Sequence, residues 1–171
     1  MAKKKKQDDY NRDAMDKALA PYEQQINAAA KQYSFDPKSI KAHIYQESHG
    51  KPSRDGLMQA GTTAVKQLQS LKNPDGSNVY NVKYNPTNPE DSINAGTAYL
   101  DYLRGMKAKK MGLPKDDPAV VEAYTKAYNG GGDKQYNQHI NRNYKILNEN
   151  PTVGYPLKTI LNVSTIRPSD Y

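Results

Sequence analysis

Ile44-Tyr-Gln-Glu-Ser-His-Gly-Lys-Pro-Ser-Arg-Asp-Gly-Leu-Met-Gln59 places a carboxylate, Glu47, near the end of an amphipathic helix, ahead of a Gly/Pro turn and a glycine-led segment. The helix has a clear start at Asp36-Pro37. Aspartate accepts a hydrogen bond from orphan amides, and proline is pre-set for the first helical position. From there Ile40, His43, Ile44 and Glu47 recur at spacings of three and four, one face of a helix over 37–48. Gly50 and Pro52 stop it. Glu47 therefore continues the apolar stripe, and burial there disfavours its charged form and raises its pKa. An ordinary glutamate, with a pKa of about 4.3, is only roughly 0.2% protonated at pH 7. Each unit of upward shift multiplies the acid form about tenfold, which is how a spectator carboxylate becomes a general acid. A rim position, salt-bridged to a neighbouring lysine, fits the same periodicity. Spacing alone leaves both open.

Outward from that stretch, 171 residues suffice for one domain with a real core. The core is modest: hydrophobic residues make up 36%, and mean hydropathy is −0.99. The aromatic residues are fourteen Tyr, one Phe and no Trp. Tyrosine joins a flat apolar ring to a polar tip, which suits a cleft for polar ligands and also a small core. Net charge is +7, favouring polyanionic partners such as nucleic acid, an anionic membrane or a wall polymer. The lysines gather at Lys3–Lys6 and at Lys107, Lys109 and Lys110. Charge is the sole support for nucleic acid, so no specific nucleic-acid partner is expected. With no cysteine, disulfides and thiolate metal sites are excluded. No run approaches transmembrane length. The basic start is followed directly by Gln7-Asp-Asp-Tyr-Asn-Arg-Asp13, not by the apolar stretch of a secretory leader.

In chain order, residues 1–9 read as a disordered basic-then-acidic arm. A helical pattern covers 10–32, divided near Pro21. After the Glu47 helix, residues 62–71 form a short helix turning Val65, Leu68 and Leu71 inward. Residues 72–88 read as a long loop or small hairpin around Asp75-Gly76. Asn88-Pro89 and Asp117-Pro118 repeat the cap-plus-proline start, the second helix running into Tyr128-Asn129-Gly130-Gly131-Gly132. Residues 135–148 make a last helix with Ile140, Tyr144 and Leu147 aligned, and an extended tail follows Pro151. The class is mainly α.

Several segments, in order, resemble the soluble lytic transglycosylase (SLT) domain family. They are Ala42-x-Ile44-x-x-Glu47-Ser48-x-Gly50-x-Pro52, Ser53-x-x-Gly56-Leu57-Met58-Gln59, Ile93-x-x-Gly96-x-x-Tyr99-Leu100, Ala127-Tyr128-Asn129-Gly130-Gly131, and Arg142-Asn143-Tyr144-Lys145-Ile146-Leu147. Each is weak alone; the ordered set is specific, and it covers roughly Pro21 to Asn150. The resemblance implies a lysozyme-like fold over 10–150, with the small loop or hairpin region and the extended tail at 151–171. It also implies cleavage of the MurNAc-GlcNAc β-1,4 bond of peptidoglycan strands, leaving 1,6-anhydroMurNAc ends and needing no cofactor.

The implied roles follow residue by residue. Glu47 is the catalytic acid/base, and Ser48 hydrogen-bonds near the acetamido group. Gly56, Leu57, Met58 and Gln59 form a cleft wall, with Met58 and Gln59 against the sugars. Tyr128 and Asn129 face the carboxyl, and Tyr144 approaches it from the last helix. The chain also departs from the family pattern. Only Arg54-Asp55 separates Ser53 from Gly56, so Asp55 is either a second carboxylate, making a lysozyme-type hydrolase, or a plain turn residue. Ser92 stands where asparagine is frequent, a difference read as one of helix geometry alone. His43 and His49 flank Glu47, but His49 falls past the helix end and no third ligand is apparent, so no metal is expected. Without a leader, the expectation is a delivered enzyme, virion-borne in a phage or part of a secretion machine, docking on phage tail, ejection or secretion proteins through 151–171. A non-catalytic structural or wall-binding module is the rival from another class.

Overall fold

The computed structural model describes residues 11–149; the 1–9 arm and the 151–171 tail lie outside them. The element order is α1 (Arg12–Leu19), a 3-10 turn (Ala20–Tyr22) carrying Pro21, α2 (Glu23–Tyr33), α3 (Pro37–Ser48), α4 (Thr62–Ser70), α5 (Pro89–Met111), α6 (Pro118–Tyr128) and α7 (Tyr136–Asn148). The mainly α class read from periodicity is the observed one. Among the described residues the 72–88 region holds a single antiparallel bridge, Lys72 to Asn78, closed over Asp75-Gly76.

The cap-plus-proline signals act as the residue chemistry requires. Asp36, Asn88 and Asp117 each accept a backbone amide in the first turn, from Lys38, Asp91 and Ala119, with Pro37, Pro89 and Pro118 at the first helical position. α3 ends on His49 in the left-handed conformation, followed by Gly50 at φ +69. A Cβ at Gly50 would stand 2.8 Å from the Ala18 carbonyl oxygen, so glycine is needed there for both space and conformation.

Two apolar clusters share α3. The larger joins α2, α4, α5 and α6 around Ile26, Leu68, Ile93, Leu100 and Val120, with Ile40 and Ile44 as the contribution of α3. The smaller lies between α1, α3 and α7 and holds Met15, Ala42, Tyr45, Tyr136, Ile140 and Leu147. Burying each such aliphatic side chain stabilises the fold by about 1.5–3 kcal/mol. Tyr128 packs against both clusters. His43 packs against Tyr128 and Tyr136, and Glu47 follows one turn later beside Tyr136, so the carboxylate emerges at the seam of the two clusters.

Candidate active site

Glu47 occupies the last turn of α3 and is half-buried. Its Oε1 accepts a hydrogen bond from the Tyr136 hydroxyl. Burial pushes the Glu47 carboxyl above the usual carboxylate range, and the Tyr136 hydrogen bond, which favours the ionised form, opposes that rise. Tyr136 itself is only 3% exposed, and burial together with the Glu47 charge drives its phenol far up. At neutral pH it is therefore a hydrogen-bond donor to the carboxylate.

The last helix therefore meets the carboxylate through Tyr136 and not through Tyr144, which corrects the sequence reading. α7 runs antiparallel to α3: Tyr136 lies at Glu47, the Asn143 amide donates to the Ala42 carbonyl, and the Tyr144 hydroxyl donates to Asp36 Oδ2 at 2.6 Å. Asp36 and Glu47 stand at opposite ends of α3, about 16 Å apart at 1.5 Å per residue. The buried line on α7 is Tyr136, Ile140, Asn143 and Leu147, spaced four, three and four. Ile140, Tyr144 and Leu147 satisfy the same helical spacing, so period alone did not separate the two sets. Tyr144 lies at the edge, 37% exposed.

The Gly56–Gln59 segment also departs from the expected cleft wall. Leu57 and Met58 are 1% and 0% exposed, so their side chains belong to the core and do not meet sugars. The Ser92 hydroxyl accepts the Leu57 amide at 2.9 Å and the Met58 amide at 3.4 Å. Ser92 thus anchors the segment, a larger role than the helix geometry expected of it. Gly96 lets α5 approach: a Cβ there would meet Met58 Cβ at 2.4 Å and the Tyr128 hydroxyl at 2.9 Å. The Met58 carbonyl accepts the Tyr128 hydroxyl at 2.7 Å. Of the four residues only Gln59 is exposed; it adopts φ +51 and its amide donates to the Glu47 carbonyl.

Ser48 is half-buried and donates to the Ile44 carbonyl at 3.0 Å, leaving lone pairs on its oxygen to accept. Asn129 caps α6, and its side-chain nitrogen is buried with no acceptor among the described residues. Gly130 and Gly131 take φ +65 and +78 with open space around them, so their need for glycine is conformational. Asp55 is exposed on the turn, 3.6 Å from the Arg54 guanidinium.

His43, 1% exposed, donates from Nδ1 to the Ser39 carbonyl at 2.8 Å and packs its ring against Tyr128 and Tyr136. A carbonyl only accepts, so the proton is on Nδ1. Burial lowers the His43 pKa to about 4, keeping it neutral beneath the carboxylate. His49 is exposed past the helix end, its ring 5.0 Å from that of Tyr45. No group of three or more His, Asp or Glu suited to a metal occurs among the described residues.

The site thus joins a half-buried carboxyl on a helix end, a tyrosine that braces it, a Gly-Leu-Met-Gln turn and a Tyr-Asn helix end. The transglycosylase SLT domain model matches residues 24–150. The chain belongs to the SLT domain family. No curated protein and no solved structure matches the chain. SLT membership puts the helical architecture in the lysozyme-like superfamily and supports a lytic-transglycosylase-type function acting on peptidoglycan. The matched span begins inside α2, yet α1 is integral to the SLT fold here: Met15 and Leu19 are 0% exposed, and the Arg12 guanidinium reaches the Leu147 and Glu149 carbonyls.

Proposed function

We propose that the chain is a lytic transglycosylase that cleaves the MurNAc-GlcNAc β-1,4 bond with Glu47 as its single acid/base. The observation that carries this reading is the Glu47 carboxyl, raised by burial and braced by Tyr136 at the seam of the two clusters. Protonated Glu47 gives its proton to the glycosidic oxygen, and the bond from that oxygen to the muramoyl C1 breaks. The C6 hydroxyl of the same sugar attacks C1, and ionised Glu47 takes the hydroxyl proton. The products are a free GlcNAc C4 hydroxyl and a 1,6-anhydro ring, no water is consumed, and Glu47 returns to its acid form. Holding nucleophile and electrophile in one sugar supplies several kcal/mol of orientation, about 7–11 in well-aligned intramolecular reactions.

Most glycosidases flank the bond with two carboxyls; substrate-assisted families do without the second. Tyr136, donating to Glu47, stabilises the ionised intermediate state and fixes which oxygen faces the sugar. Gln59, tied to the Glu47 backbone, and Ser48 supply polar contacts at the rim. The exposure of Asp55 and its Arg54 partner favour the turn-residue reading over a second catalytic carboxylate. Digestion of sacculi in 18O-labelled water tests the reaction type. Unlabelled glycan ends are expected; one 18O per new reducing end would make the enzyme a hydrolase. The expected docking role of residues 151–171 and the delivery route concern residues outside the described ones.

A further inference from the structure

The C-terminal tip of α5 carries a surface that the reaction does not use. Met106, Met111 and Leu113 are 45%, 40% and 37% exposed, three of the six large hydrophobic residues that reach solvent among the described residues. Interleaved with them are Lys107, Lys109, Lys110 and Lys115, and no acidic residue falls between Gly105 and Lys115. None of these lysines forms an ion pair with another described residue. Just before the tip, Arg104 points inward, with its guanidinium 3.9 Å over Phe35 and donating to the Tyr33 and Ser34 carbonyls. The helix is thus anchored to the α2–α3 corner at Arg104; beyond it Ala108 still packs in the core, while Met106, Lys109, Lys110 and Met111 are exposed.

Two ordinary causes explain part of this. Lysines in a last turn complement the helix dipole. A hydrophobic residue after a left-handed glycine cap normally packs back on the final turn. Gly112 provides that cap at φ +66, and the Leu113 amide does return to the Ala108 carbonyl at 3.2 Å. The Leu113 side chain nevertheless stays exposed, as do both methionines. Dipole complementarity accounts for the charge and leaves the apolar exposure unexplained.

We propose that residues 106–115 dock on the surface of an anionic lipid bilayer, with Met106, Met111 and Leu113 entering the headgroup layer and the lysines facing the lipid charges. A hydrophilic polyanion would reward the lysines alone; the exposed thioethers and leucine select lipid. Gly96, beside Met58 and Tyr128, lies about 21 Å along α5 from Lys110. The docking surface and the residues that pack around the Glu47 end of α3 therefore lie at different heights along α5.

The test is co-sedimentation of the full chain with phosphatidylglycerol–phosphatidylcholine vesicles, against pure phosphatidylcholine. Three variants are compared: Lys107→Ser/Lys109→Ser/Lys110→Ser, Met106→Ser/Met111→Ser/Leu113→Ser, and a reference with Lys3–Lys6 all replaced by Ser. Each lysine at an anionic surface contributes roughly fivefold in partition, so the tip-lysine variant should lose roughly a hundredfold. The apolar-tip variant should also weaken binding, and both should keep wild-type thermal unfolding and sacculus cleavage. Three results would overturn the proposal: no vesicle binding by the wild type, loss confined to the Lys3–Lys6 variant, or an apolar-tip variant that binds like wild type while duplex DNA competes fully. The last would make the tip a polyanion patch.

Discussion

Glu47 and His43 sit one helical turn apart on α3, and burial moves their pKa values in opposite directions relative to the charge each could carry. Burial disfavours the charged form of each, and the pH consequences have opposite signs. A carboxyl raised in the folded state contributes stability that is complete below its unfolded pKa and lost as pH rises through the folded value. Glu47→Gln, whose amide oxygen still accepts the Tyr136 hydroxyl, should therefore unfold at a higher temperature than wild type at pH 7. The difference should vanish in scans below about pH 4. For His43 the folded pKa is lowered from 6.5 to about 4, so its contribution is complete above pH 6.5 and is lost as pH falls toward 4. The loss amounts to about 3 kcal/mol. In a Glu47→Gln background, which removes the opposing carboxyl, denaturant titrations should show that fall, and His43→Leu should flatten it. Tyr136→Phe removes the hydrogen bond that favours ionised Glu47, so the carboxyl rises further. The alkaline limb of the kcat/KM profile on sacculi should then move to higher pH, with a lower rate. An unmoved limb would detach Tyr136 from the catalytic carboxyl.

At the scale of elements, α5 works as a spine whose small residues set the position of the Gly56–Gln59 turn. Ser92 accepts its amides and Gly96 admits Met58 and Tyr128. Ser92→Ala strands two buried amides and should cost about 1–3 kcal/mol. Gly96→Ala forces a methyl into Met58 and should cost about 1–3 kcal/mol, with a larger loss of cleavage because Tyr128 is displaced as well. Thermal unfolding alongside sacculus clearance checks both. The helices themselves were legible because Asp36-Pro37, Asn88-Pro89 and Asp117-Pro118 write their own start signals, and α3 begins and ends where those signals put it. The resemblance to the SLT family was legible for the same reason: its motifs are short and ordered along the chain. What period cannot decide is which of two helical stripes on α7 faces inward, because both obey the three-and-four rule; Tyr136 is the one against Glu47, and Tyr144 lies against Asp36. Nor could it tell that Met58 is core. The resemblance makes the Gly-Leu-Met-Gln turn a cleft wall, and only the missing side chain of Gly96, far along the sequence, shows where the methionine goes.

For the whole molecule, two clusters meeting along α3 explain why a chain with so little apolar residue still buries a carboxyl. His43 packs on Tyr128 of α6 and Tyr136 of α7, and Glu47 meets Tyr136, so residues that belong to the two clusters cover the line from His43 to Glu47. No helix among the described residues is long and apolar enough to cross a membrane. The central claim is that this seam holds a single acid/base which makes anhydro ends. Its most direct test is mass spectrometry of the muropeptides released from purified sacculi by the wild-type chain and by Glu47→Gln. Fragments one water lighter than lysozyme products are expected from the wild type and none from the variant, although both bind sacculi. Reducing-end fragments from the wild type, or undiminished release by Glu47→Gln, would contradict it.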